Sequence, residues 1–330
     1  MSRPLVVVTD FIAEPMDHER RILGDLADLR AAGAMHEEEL VGQVEEADAL
    51  MLYHFLSLTR RTIERLKKCK LIVRCGVGFD NIDHRFARER GIDVANVPDY
   101  GTEEVADSAI GMMLTLVRGI HYMNDRGQQR QGEWIYTQVQ PIHRLRTQTV
   151  GLIGLGRIGT ATALRAKALG MNVLFYDPYV PDGRDKSLGI TRVETLGELL
   201  SRADVVSLHC PRTPETTHII NRDAISQMKP QSYLVNTARG GCVDANAVLW
   251  GIESGHLRGA ALDVLEVEPP LETEPLLTAW RDPAHPAHSR VIINPHSAFY
   301  SEEGLDDMRI KGSQNCRRVI LGQAARNVVN

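Results

Sequence analysis

Residues Thr149-Val150-Gly151-Leu152-Ile153-Gly154-Leu155-Gly156-Arg157-Ile158-Gly159 decide how this 330-residue chain folds. Residues 150–153 read as a buried strand and 158–169 as a helix closed by Gly170. Gly154, Gly156 and Gly159 lie between them with the spacing GxGxxG. That spacing alone is a weak signal. Between a strand and a helix it has a mechanism. The first glycine allows the tight turn, the second lets a pyrophosphate approach the backbone, and the third lets helix and strand pack closely. The helix N-terminus then offers unpaired N–H groups to phosphate oxygens. The next strand, Asn172–Tyr176, ends at Asp177, 18 residues past Gly159. A carboxylate there accepts hydrogen bonds from ribose hydroxyls and repels a 2′-phosphate. Pro178 and Tyr179 supply no arginine to hold one. The segment predicts a dinucleotide site that takes NAD in preference to NADP.

Strand and helix signals alternate on both sides of this segment. Upstream, residues 5–9, 49–54, 71–74 and 93–96 read as strands, with helices over 18–32, 59–67 and 81–90. Downstream, strands are expected at 205–209, 233–236, 260–263 and 291–294, and a final helix at 301–321. This alternation predicts an α/β protein with two parallel sheets. The helix over 102–118 starts with Glu103 and Glu104 and carries Val105, Ala109, Met112, Met113 and Leu116 at helical spacing. Ile110, Leu114 and Val117 extend its apolar character all round, which suggests burial against more than its own domain, as at a subunit interface. Residues 268–286 read as a long irregular loop.

Composition narrows the function. Lys and Arg number 38 against 43 Asp and Glu, for a formal charge of −5. Nucleic acid and anionic membranes are therefore not expected partners. The first apolar run, Leu5-Val6-Val7-Val8, is too short for a signal peptide, and no run approaches the roughly 18 residues of a membrane span. Five cysteines without a CxxC pair read as reduced thiols, so the expected location is cytoplasmic. His285 and His288 have a metal-like spacing, but Pro286 lies between them and no acidic or thiol cluster completes a site; no metal is expected.

Three further segments follow strands on the side where wound sheets bind ligands. They are Asn236-Thr237-Ala238-Arg239-Gly240-Gly241, the run from Asp263 to Glu268-Pro269, and Asn294-Pro295-His296-Ser297-Ala298. Together they supply a guanidinium, a carboxylate and an imidazole. A guanidinium grips carboxylate and carbonyl oxygens with paired bonds. An imidazole can give a proton to a ketone oxygen, and a nearby carboxylate favours its charged form.

These motifs, with their order and spacing, resemble the D-isomer-specific 2-hydroxyacid dehydrogenases. RCGVGFDNID from Arg74, NVPDYGTEEVADSAIG from Asn96 and the residues after His296 are most similar to the C-terminal-binding-protein branch. The resemblance implies a Rossmann NAD-binding domain (100–296) inserted in a discontinuous, flavodoxin-like substrate domain (1–99 and 297–330), with a ligand cleft between the two. It implies catalysis by Arg239, Glu268 and His296 on a small 2-keto or 2-hydroxy acid. Cofactor contacts would come from Gly154, Gly156, Arg157, Ile158, Gly159, Asp177, Cys210, Pro211, Thr237, Ala238, Asp263 and His296, with Asp263 against the nicotinamide. Substrate contacts would come from Arg74, Cys75, Gly76, Val77, Arg239, His296 and Phe299. The 102–118 helix would build a homodimer. The corepressor members carry Trp where this chain has Phe299, so their substrate preference does not transfer. An NAD(H)-sensing binding protein, like those corepressors, stands as the alternative function.

Overall fold

The computed structural model describes residues 3–330. The chain divides into two compact units, residues 3–101 with 300–330, and Thr102–Phe299.

The first unit is built on five parallel strands: β1 (Leu5–Val8), β2 (Asp28–Ala31), β3 (Ala49–Leu52), β4 (Leu71–Arg74) and β5 (Asp93–Asn96). Their order is β2-β1-β3-β4-β5, the flavodoxin-like winding. Val6, Val7, Val8 and all of β3 are fully buried, as expected for strands covered on both faces. The helix expected over 18–32 is instead a helix at Asp17–Leu23 followed by β2. Strand β2 lies at the sheet edge and carries Asp28 and Arg30, so it lacks the apolar run that marks a central strand. The last helix, Glu302–Ile320, belongs to this unit and begins where Ser301 Oγ accepts from Gly304 N–H (2.8 Å). Its Arg309 donates to both oxygens of the buried Glu19 (2.9 and 2.7 Å).

The second unit holds seven parallel strands: β6 (Thr149–Ile153), β7 (Asn172–Tyr176), β8 (Thr191–Arg192), β9 (Val205–Leu208), β10 (Ser232–Asn236), β11 (Leu257–Leu262) and β12 (Val291–Ile293). Their order is β12-β11-β10-β9-β6-β7-β8, the Rossmann winding extended by one strand. The winding reverses between β6 and β9. The helix Thr102–Val117 packs Ala109, Met112, Met113, Leu116 and Val117 into a core shared with Leu152, Val173 and Phe175 of this sheet, and Ile110 joins the same cluster. Its own unit therefore accounts for most of the apolar breadth of that helix. The exposed apolar residues come after it, at Ile120, Trp134 and Tyr136. The loop expected over 268–286 contains a helix, Pro275–Arg281. Glu274 caps it by accepting from Leu277 N–H (2.7 Å), with Pro275 at its first position. Among the described residues no helix is long and apolar enough to cross a membrane, and no cluster of His, Cys, Asp and Glu could hold a metal ion. His285 instead caps the short helix Pro286–Arg290, and His288 Nδ1 bonds the Trp280 carbonyl (2.8 Å).

Candidate active site

The glycine turn sits at the strand reversal of the second unit, and its glycines divide the work expected of them. Gly154 adopts φ +93°, and a Cβ there would come within 2.9 Å of Cys210 N at the end of β9. A Cβ on Gly159 would meet the Gly154 carbonyl oxygen at 2.3 Å, so this glycine lets the helix Arg157–Ala168 close on β6. At Gly156 no other part of the chain lies within 4 Å of the Cβ position, which leaves its backbone open to a ligand. Arg157 and Ile158 form the first turn of the helix, whose N-cap Gly156 has no side chain to satisfy the N–H groups. Asp177 Oδ2 accepts from Leu155 N–H (2.8 Å) and Oδ1 from Tyr179 N–H (2.9 Å), which fixes the carboxylate against the turn.

Around the end of β9, Cys210 is half-buried with the Cys242 thiol beside it, and the Pro211 carbonyl accepts from Thr216 Oγ1 (2.6 Å). His209 Nε2 meets Ser207 Oγ (3.0 Å), and burial pushes its pKa down to about 4, so the ring is neutral. Thr237 Oγ1 is buried with no hydrogen-bond partner among the described residues. An open glycine backbone, a fixed acidic residue and an orphaned buried hydroxyl fit a dinucleotide.

The three ionisable side chains lie on loops that follow neighbouring strands of the same sheet. After β10, the buried Asn236 accepts from Ala238 N–H (3.0 Å) and donates to the Arg239 carbonyl (2.9 Å), which shapes the turn carrying Arg239. Arg239 Nη1 donates to the Ala238 carbonyl (2.8 Å). A Cβ on Gly240 would sit 1.9 Å from the Leu265 carbonyl carbon, so only glycine lets this loop press on the one after β11. On that second loop, Glu268 Oε1 accepts from Leu265 N–H (2.8 Å), and Oε2 lies 2.7 Å from His296 Nδ1. His296 follows β12. It adopts φ +52° and donates its N–H to the Asp263 carbonyl (2.8 Å). Asp263 is 1% exposed, and its carboxylate accepts from Ser297 N–H (2.9 Å) and Ala298 N–H (3.0 Å). Burial raises its pKa, opposed by those two N–H groups and by His296. Ser108 Oγ holds the next carbonyl, that of Ala298 (3.1 Å). Phe299 lies edge-on to the His296 ring, with centroids 6.1 Å apart.

The consequence for the imidazole is directional. With Glu268 ionised, its bond to Nδ1 places a proton on that nitrogen and leaves Nε2 to exchange one. Asp263 spends its carboxylate on the backbone after His296, which makes it a positioning residue. Asn236, Gly240 and Ser108 belong to the same framework. The sequence names the first two only as part of a turn motif, and Ser108 carries no local signal.

In the first unit, Arg74 ends β4, and its Nη1 donates to the Cys75 carbonyl (2.9 Å) above Gly76, where a Cβ would clash with it at 1.5 Å. Cys75 N–H donates to the Leu52 carbonyl (2.7 Å) and Gly76 N–H to the Arg74 carbonyl (2.9 Å). The Val77 carbonyl accepts from Asn96 Nδ2 (2.7 Å). Burial pushes the Cys75 thiol up to about 12, which removes it as a nucleophile.

A Rossmann winding, a glycine turn at its reversal and Arg, Glu and His on three neighbouring loops are the features of a dinucleotide-dependent dehydrogenase. Residues 110–298 match the family described as "D-isomer specific 2-hydroxyacid dehydrogenase, NAD binding domain". The chain belongs to that family, and NAD is the cofactor its second unit is built to hold. It is 38% identical over 325 residues to D-3-phosphoglycerate dehydrogenase of Methanocaldococcus jannaschii, covering 98% of this chain and 60% of that protein. It is 34% identical over 336 residues to C-terminal-binding protein 1 of Caenorhabditis elegans, covering 100% of this chain and 45% of that one. The chain thus spans about half the length of these curated relatives. Among solved structures, D-lactate dehydrogenase from Aquifex aeolicus, complexed with NAD and lactic acid, superposes with a TM-score of 0.84 at 31% identity over 96% of each chain.

Proposed function

We propose that this protein interconverts a 2-keto acid and the corresponding D-2-hydroxy acid, with Arg239, Glu268 and His296 as its catalytic residues. The nicotinamide, when bound, supplies or takes up the hydride. Arg239 grips the substrate's carboxylate and carbonyl oxygens with paired N–H donors and draws charge onto the carbonyl oxygen. In the reducing direction His296 gives its Nε2 proton to that oxygen, and in the oxidising direction it takes the proton back. Glu268 holds the ring by Nδ1 and so fixes its orientation, with Nε2 left to face the substrate. The observation that carries this reading is the 2.7 Å contact between His296 Nδ1 and Glu268 Oε2, on a loop against whose Leu265 the Arg239 loop packs at Gly240.

Asp177 supports NAD over NADP, because its fixed carboxylate repels a 2′-phosphate. A homodimer is part of the proposal, and the exposed Ile120, Trp134 and Tyr136 are the apolar surface a second copy would cover. The test is NADH oxidation with a panel of glyoxylate, pyruvate, hydroxypyruvate and 3-phosphohydroxypyruvate. Consumption with at least one member is expected. NADH binding without consumption by any of them favours a second reading, an NAD(H)-sensing binding protein, which the likeness to the Caenorhabditis elegans protein supports.

A further inference from the structure

The sheet of the second unit has a second end. Strands β10, β11 and β12 run side by side in one direction. At their far ends lie Arg239, the Asp263–Glu268 loop and His296. At their near ends a cavity of about 170 Å3 opens, lined by Tyr233 of β10, Arg258 of β11 and Arg290 just before β12. His121 and Gln138 complete its polar wall. At about 3.3 Å per residue, these strands separate the cavity from the loops by about 15–20 Å.

The charge of this cavity is one-sided. Arg258 Nη2 donates to the Val139 carbonyl (2.7 Å), which ties down the segment that walls the cavity. The Arg258 guanidinium also lies near the Tyr233 hydroxyl and opposes the upward push of burial on its pKa. Arg290 is half-buried, and its side chain makes no hydrogen bond or ion pair within the described residues. The Nε2 atom of His121 is buried and has no partner among the described residues. No Asp or Glu lines the cavity. Two guanidinium groups gathered in a partly buried space without a carboxylate repel one another, and an orphaned ring nitrogen adds a further unmet polar group. An oxyanion would offset the charge of both guanidinium groups. The volume suits a single phosphate, sulfate or small carboxylate and is far too small for a dinucleotide.

We propose that this cavity is a binding site for a small oxyanion, separate from the cofactor and from the reacting groups. The site does not depend on the reaction assigned above. The shared chemistry is a compact, multiply charged oxygen anion held by Arg290 and Arg258. Free inorganic phosphate and a carboxylate ligand are its two sources.

The experiment is a thermal-shift titration of the full chain with inorganic phosphate and, separately, malonate. Saturating NADH keeps the glycine turn occupied, and chloride is matched for ionic strength. A saturable rise in Tm with phosphate or malonate, absent with chloride, is expected. Whichever anion acts at the lower concentration identifies the source. Arg290→Gln should raise the apparent Kd for that anion by about tenfold or more. It should also leave kcat and KM for the keto acid unchanged. As it removes an unpaired charge, it should not lower the Tm of the anion-free protein. No saturable shift in the wild type overturns the proposal. So does a shift that survives Arg290→Gln but disappears in Arg239→Gln, which would place the anion among the reacting groups.

Discussion

Asp10 follows β1 in the first unit, and Asp263 follows β11 in the second. Both are buried, at 0% and 1% exposure. Asp10 accepts from the N–H groups of Tyr53 and Phe55 (2.8 Å each), just past the neighbouring β3. Asp263 accepts from those of Ser297 and Ala298, just past the neighbouring β12. Each carboxylate therefore ties down the segment leaving the adjacent strand. The difference lies in what is held. In the first unit the segment carries Tyr53, His54 and Phe55, packed as aromatic rings around Phe11. In the second it is continuous with His296, whose ring meets Glu268. The same anchor holds a cluster of aromatic rings in one unit and, in the other, sets the position of the ring proposed to transfer the proton.

This contrast can be broken at several points. The largest effect should come from the held group itself. His296→Gln should lower kcat by about 10²–10⁴-fold, the range for losing a general acid, and leave NADH affinity within about twofold by fluorescence titration. An equal loss of both would mean that the imidazole serves binding and not proton transfer. The anchors come next. Asp10→Ala and Asp263→Ala each leave two backbone N–H groups without their acceptor, and each should cost about 2–4 kcal/mol in denaturant unfolding. Only Asp263→Ala should also move the pH profile of kcat/KM, since only its partner segment is continuous with the proposed proton-transfer group, His296. A shifted profile in Asp10→Ala would erase the distinction between the two units.

The smallest effect concerns His209, a buried group on the same side of the second sheet. Its folded pKa lies near 4, below the 6.5 of a free imidazole. Between these values the unfolded chain binds a proton that the folded chain does not, so stability falls as pH drops from 6.5 towards 4. Part of the residue reaches solvent, which limits the loss at pH 5 to about 1 kcal/mol. Comparing the pH dependence of Tm for wild type and His209→Asn checks this, and an identical slope in both would rule it out.

Much of this architecture was legible in the sequence, where a local pattern and its mechanism coincide. The glycine turn, Asp177, and the loops of Arg239, Glu268 and His296 all follow short apolar strands, and period and punctuation suffice to find them. Edge strands β2 and β8 were not legible, because a half-exposed strand with Asp28, Arg30 or Arg192 carries no apolar run. The helix Pro275–Arg281 was hidden by its Pro-rich surroundings, although Glu274-Pro275 is a sound start signal. The role of Asp263 was beyond reach for a different reason. The N–H groups that donate to it lie 34 and 35 positions away, and the pairing of β11 with β12 that brings them together is a property of the sheet. The cavity at the other end of the sheet is similar. His121, Tyr233, Arg258 and Arg290 share no motif, and only the parallel run of three strands gathers them.

The central claim is that Glu268 acts through His296 and not independently of it. A double-mutant cycle of Glu268→Gln and His296→Gln, read in kcat/KM for the most active keto acid, measures this directly. The account predicts that Glu268→Gln lowers kcat/KM in the wild-type background and has almost no further effect once His296 is gone. Losses that multiply in the double variant would show two groups working separately, and the proposed acid–base pair would be contradicted.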